Sequence, residues 1–152
     1  MGRRIDPSLA QRGGKIYEMR NMAYWLMKSE PAAYAWHDLV RDGSTWWDGV
    51  RNNAARLHLR AMKPGDEAFF YHSGEERAVV GIMRVSGPGE PDGEDGAWVK
   101  VPVEPVRAFG PVTLMDIKAK PALAGMELIR QSRLSVSPVR KEEWAAILEM
   151  AS

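Results

Sequence analysis

The sequence predicts a mixed α+β domain: a small, strongly bent or barrel-like sheet of about five strands with short helices packed outside. Three observations carry the prediction. Short aromatic and β-branched runs are punctuated by Gly, Pro and Asn, as strands joined by tight turns are. Helical patterns are brief and lie between or after those runs. There is no βαβ alternation and no glycine-rich phosphate loop, which argues against a doubly wound parallel sheet.

Residues 1–21 are polar and basic and lack the apolar run of a secretory signal. They are expected to be a disordered leader or an alternative-start extension, with Met22 as a natural start and the domain spanning 22–152. AYWLMK at 23–28, ended by SEP, reads as a buried first strand. AYAWHDLVRDG predicts a short helix, with Trp36, Leu39 and Val40 at helical spacing and Gly43 as its stop. NNAARLHLRAMKPGD predicts a second helix, capped by Asn52 or Asn53 and ended at Pro64-Gly65.

EAFFYHS at 67–73 and AVVGIMRVS at 78–86, separated by GEER, predict a hairpin. Residues 87–97 hold mainly glycine, proline and acid and are expected to loop. The acids Glu90, Asp92, Glu94 and Asp95 would repel a phosphate backbone, so this loop is expected to point away from any nucleic-acid groove. WVKVPVEPVRAF alternates as a half-buried strand, and Pro102 and Pro105 place it at a sheet edge or a bend. VTLMDIKAKPALAG holds a helical turn, and GMELIRQSRLSV passes from helix-like to strand-like before Ser137-Pro138. KEEWAAILEM closes the chain as an amphipathic helix with Trp144, Ile147 and Leu148 inward.

A chain of 152 residues suits one domain, and its 45% hydrophobic content supports a core. With no cysteine, disulfides, thiolate zinc sites and a thiol nucleophile are excluded. His37, His58 and His72 show no metal-ligand spacing, so no metal and no cofactor is expected. No apolar run is long enough to span a membrane, and a net charge of +1 means that an anionic partner must meet a local patch. The missing signal and cysteines point to the cytoplasm. A monomer is favoured.

Trp46 and Trp47 stand side by side in STWWDGVRNNAAR. On a strand, adjacent side chains face opposite ways, so one ring is expected to look away from the core. Lys28, Ser29 and Glu30 after the first strand, and His72 and Ser73 after the hairpin's first strand, could converge with that ring on one rim of the sheet. Arg130, Gln131 and Arg133 would border it. An aromatic slot with polar edges and a cationic border suits a nucleobase and its flanking phosphates. Each part has a plainer reading. Lys28 and Glu30 could be an exposed ion pair, and Arg130 and Arg133 could simply solvate a helix face. A hydrolase that pairs His72 with Asp66 or Glu30 is the enzymatic alternative, weakened because His72 and Ser73 diverge on a strand.

YWLMKSEP, TWWDGVRN, MKPGD, FFYHS, VVGI, IRQSRLSV and EEWAAIL follow one another in the order found in the EVE domain family, which includes the thymocyte nuclear protein family. The chain resembles that family over nearly all of residues 23–150. The resemblance implies a PUA-like pseudo-barrel of five to six strands flanked by short helices. It also implies a kinship with YTH domains and with SRA-like readers, hence a non-catalytic reader of a modified base, foremost a 5-substituted cytosine in DNA. An RNA-binding PUA-like module is the alternative, and a nuclease or helicase is a candidate protein partner. Lys28 and Ser29 then match the Lys-Ser pair lining the YTH pocket, Trp46 or Trp47 the first cage wall, and Asn52 a contact to the base edge. The loop at 87–97 lacks the tyrosine-bearing insertion of many EVE sequences, which leaves Trp98 as the candidate second wall.

Overall fold

The computed structural model describes residues 9–12, 15–18 and 22–151. Strands β1 (Leu9–Arg12) and β2 (Lys15–Glu18) pair antiparallel as a separate two-stranded sheet. The leader expected over residues 1–21 otherwise lies outside the described residues.

The main sheet uses β3 (Tyr24–Ser29), β4 (Thr45–Trp47), β5 (Glu67–His72), β6 (Ala78–Val85), β8 (Val99–Thr113) and β9 (Val136–Val139), in the order β4-β8-β6-β5-β3-β9. The two-residue β7 (Glu90–Pro91) pairs with β8. Among the described residues only β3 and β5 run parallel, and the other pairings are antiparallel. Helices α1 (Trp36–Asp42) and α2 (Asn53–Ala61) lie within the β3-to-β5 connection. Helices α3 (Leu114–Lys118) and α4 (Glu127–Arg130) precede β9, and α5 (Lys141–Met150) follows it. This is the curled, helix-flanked sheet of a PUA-like pseudo-barrel, as expected from the sequence.

The apolar runs of β3 and β5 do not alternate with polar residues because both faces of the sheet are covered. Trp25, Met27, Ala68 and Phe70 enter one core with Leu39 of α1, Ala55 and Leu59 of α2, and Trp47. Leu26, Phe69 and Tyr71 enter a second with Ile117, Leu128, Trp144 and Ile147 from α3, α4 and α5. Trp144 stacks on Phe69 at 3.9 Å between ring centroids. Each fully buried large side chain contributes roughly 1.5 to 3 kcal/mol. Among the described residues, no helix is long and apolar enough to cross a membrane.

Asp66 locks the start of β5 to β3. It is 2% exposed, and its carboxylate accepts from the amides of Ala23 (3.1 Å) and Lys63 (3.0 Å) and from the Trp25 indole N–H (3.0 Å). The MKPGD turn is therefore held by an acid that satisfies three donors.

The prolines of β8 fit the bend rather than the sheet edge, and one further expectation needs correction. Pro102 lies where β8 is paired with β4, between it and β6. Pro102 faces the three-residue β4, and Pro105 sits where the β6–β8 register shifts, so a bend accommodates it. The strand expected to stop before Ser137-Pro138 runs through both, since β9 is itself an edge where a missing N–H is tolerated.

Candidate functional site

Pairing of β4 with β8 sets Trp46 opposite Pro102 and Trp47 opposite Val101. That register turns the two indoles to opposite sides. Trp47 is 8% exposed and meets Phe70 edge-on at 5.4 Å, whereas Trp46 is 38% exposed. The Lys100 ammonium lies 4.7 Å from the centroid of the Trp46 ring, close enough for a cation–π contact. After Trp47 the chain turns at Gly49, whose φ of 75° favours a residue without a Cβ. Asn52 then caps α2, accepting from the Ala55 amide at 2.9 Å.

The end of β3 forms the facing wall. The Lys28 ammonium donates to the Ser132 carbonyl at 2.8 Å and sits 5.8 Å from the Tyr71 ring centroid. Partial burial lowers its pKa below the ordinary lysine value. The Ser29 hydroxyl donates to the Tyr34 carbonyl at 2.6 Å, so its lone pairs remain available as acceptors. Between these walls lies a cavity of about 540 Å³, lined by Lys28, Ser29, Glu30, Tyr34, Trp46, Trp47, Asp48, Arg51 and Ser135 among others. It has two carboxylates, two cations, hydroxyls and two indoles, and so can accept a flat ring and read its edge.

Five of the residues expected at the site, Lys28, Ser29, Glu30, Trp46 and Trp47, meet in this cavity. Asn52 borders a neighbouring one with Gln131 and Arg133. Ser73 lies on another, which it shares with Lys28. His72 is not on the wall of the main cavity. Its Nε2 accepts from the Trp36 amide at 3.0 Å, which leaves Nδ1 as the donor to Glu76 at 2.6 Å. The expected pairing of His72 with Asp66 is not formed. They stand at opposite ends of β5, roughly 15 to 20 Å apart at the rise of a strand, and the carboxylate beside His72 is that of Glu76.

The rim also differs in detail. Arg130 lies 3.7 Å from Glu127, and Gln131 donates to the same carboxylate, so both turn toward their own helix. Trp98 is no second wall. The guanidinium groups of Arg51 and Arg56 lie over it at 5.3 and 5.2 Å, and it does not line the cavity. The acidic loop, expected to point away from a nucleic-acid groove, is tied at one acid to the border of the cavity. Asp92 accepts from the Gly49 amide at 2.8 Å and from Arg51 at 2.9 Å, which fastens the loop to the turn beside the cavity.

Sequence reasoning did not single out Tyr34, Asp48, Arg51, Lys100 or Ser135. Asp48 and Arg51 lie inside the TWWDGVRN motif, and strand alternation could have put Lys100 on the Trp46 side. Tyr34 and Ser135 had no such signal, because a turn after β3 brings the first to the site and a bond from the Lys28 amide to its carbonyl holds the second there.

Comparison with known proteins agrees with this fold and motif order. Residues 23–150 match the family described as EVE domain. The chain is similar to thymocyte nuclear protein 1 of Mus musculus, at 35% identity over 84% of this chain and 73% of that protein. A Rhodopseudomonas palustris protein solved by NMR is 44% identical, with a TM-score of 0.82 over 85% of this chain and 92% of that one. Human thymocyte nuclear protein 1, crystallised in complex with DNA containing 5-methylcytosine, is 32% identical, with a TM-score of 0.80 over 84% of this chain and 96% of that one. A family match over almost the whole described domain, joined to a shared fold and to the motifs that build the cavity, means that the chain belongs to the EVE domain family.

Proposed function

We propose that this chain is a non-catalytic nucleic-acid-binding module that reads a modified base, a 5-substituted cytosine in DNA, drawn out of its stack into the Trp46–Trp47 cavity. The cavity carries the reading: about 540 Å³, within the range of small-ligand pockets, with Trp46 and Trp47 beside Lys28 and Ser29. Human thymocyte nuclear protein 1, a relative with this fold, is found in complex with DNA containing 5-methylcytosine, and that supports extending the ligand class to this chain.

In this reading one face of Trp46 is taken by Lys100 and the base lies against the other, while Trp47 closes the inner end. A cytosine edge offers an N4 amino donor, and the carboxylates of Glu30 and Asp48 are suitable acceptors. Asn52, engaged as a helix cap, gives up the edge-reading role to them. A stack on tryptophan is worth roughly 1 to 3 kcal/mol, while extrusion costs a few kcal/mol. Stacking alone does not hold the base, so edge and phosphate contacts must supply the rest. Both nitrogens of His72 are committed to structural partners, which supports binding over hydrolysis.

The test is a set of oligonucleotides that differ only at one cytosine (unmodified, 5-methyl or 5-hydroxymethyl), as DNA and as RNA, titrated at one salt concentration. Tighter binding of a 5-substituted DNA by about tenfold or more is expected, the worth of one methylene in a fitted pocket. Trp46→Ala should remove roughly tenfold or more of that affinity. Equal binding of all cytosines, unaltered in Trp46→Ala, overturns the reading. Preference for the RNA of the same sequence replaces it with an RNA reader.

A further inference from the structure

A second cavity, of about 490 Å³, shares Lys28 and Ser135 with the first. Four segments deliver cations to it: Lys28 from β3, Arg77 from the β5–β6 turn, Lys118 from α3 and Arg133 from the stretch after α4. Ser73 and Tyr71 also line it, and among the described residues no acidic side chain does. Among the described residues, Arg77, Lys118 and Arg133 make no ion pair. The nearby acids lie around its border. Glu76 is bonded to His72 and Glu127 holds Arg130 and Gln131, whereas Glu30 lies against Gly74 at the cavity wall, and Glu75 and Glu76 share an adjoining cavity with Arg77 and Lys118.

Arg77 is also the one described non-glycine residue with positive φ, at 47°. Its carbonyl accepts from the Leu114 amide at 2.8 Å, which ties the turn to the start of α3. Strained backbone of this kind persists where the surroundings enforce it and gathers at ligand sites. Converging cations that are held in no ion pair repel one another until an anion arrives.

We propose that this cavity binds the phosphodiester adjoining the base held in the first cavity, with Arg77, Lys118 and Arg133 as its cations and Lys28 bridging the two sites. The identity of the ligand as nucleic acid rests on the base-reading proposal; the anion site itself does not. It moves the phosphate contacts from Arg130 and Gln131, which face Glu127, to the β5–β6 turn and α3.

The test compares Arg77→Gly/Lys118→Ala with Lys63→Ala/Lys141→Ala, which loses the same charge at exposed lysines that line neither cavity. Glycine accepts the backbone at position 77, so the first variant should keep its fold. For a 5-methylcytosine oligonucleotide, the slope of log affinity against log salt should shrink by about 1 to 2 in the first variant and little in the control. Binding of free 5-methyl-2′-deoxycytidine, which carries no phosphate, should be unchanged. Arg77→Lys/Lys118→Arg should retain the wild-type slope, and this charge-keeping pair decides the matter if the first variant misfolds. Equal slopes in the first variant and the control, or a slope lost in the charge-keeping pair, overturn the proposal. If the wild type fails to bind the nucleoside while the slope still falls in the first variant alone, base reading is wrong and the anion site stands.

Discussion

The Asp92 carboxylate accepts a hydrogen bond from the Gly49 amide at 2.8 Å, across a sequence separation of 43 residues. A second bond, from Arg51 at 2.9 Å, makes the contact an ion pair as well. The acidic loop thus sets the turn that carries Trp46 and Trp47.

This tie should depend on pH. The Gly49 amide first, then Arg51, hold the Asp92 carboxyl below the ordinary aspartate range. A carboxyl depressed in the folded state adds stability that is complete above its unfolded pKa, about 3.9, and is lost as pH falls through the folded value. The gap in melting temperature between wild type and Asp92→Ala should therefore be widest from about pH 5 upward and shrink on acidification below about pH 4. A gap that stays constant across that window would show that the charge on Asp92 contributes nothing.

The two tryptophans should separate fold from binding. Trp47→Ala empties a core position against Phe70 and should cost about 3 to 5 kcal/mol in urea unfolding. Trp46→Ala, at an exposed ring, should cost under about 1 kcal/mol while weakening the modified oligonucleotide.

Asp66→Ala should be as severe as a core deletion. It leaves the Ala23 and Lys63 amides and the Trp25 indole N–H without their acceptor. A loss of about 3 kcal/mol or more is expected by denaturant titration, with a normal midpoint as the contrary outcome.

His72→Ala should lower stability by about 2 kcal/mol, because the Trp36 amide loses its partner. Affinity for the modified oligonucleotide should change less than twofold at temperatures where the variant remains folded. Turnover of any oligonucleotide by the wild type that vanishes in this variant would instead restore the hydrolase.

Much of the scaffold was legible locally. Asn52 announced the start of α2 and Gly43 the end of α1, because caps answer the orphan donors and acceptors of a helix end. The hairpin at 67–86 followed from two apolar runs around a polar turn. The length of β8 was less legible, since its prolines and irregular register look like interruptions until β4 and β6 are placed beside it. Within the site, Lys28, Ser29 and Glu30 could be named because they lie at the end of a strand. Tyr34 could not, as it reaches the cavity through a turn, with its hydroxyl bonded to Asp42 at 2.9 Å.

By itself the sequence determined that two adjacent indoles on an extended segment must part, one inward and one outward, because side chains alternate along a strand. It also settled the family, through the order of its motifs. Only the tertiary structure decided which indole stays at the surface, since that depends on the register of β4 against β8. Likewise, the Trp36 amide that occupies His72 became known only in the fold, whereas Glu127 stands three and four residues before Arg130 and Gln131, a spacing that a helix brings together. A side chain's hydrogen-bonding groups are claimed by whatever neighbours the chain brings within about 3 Å, and no local pattern encodes the neighbours that come from distant parts of the chain.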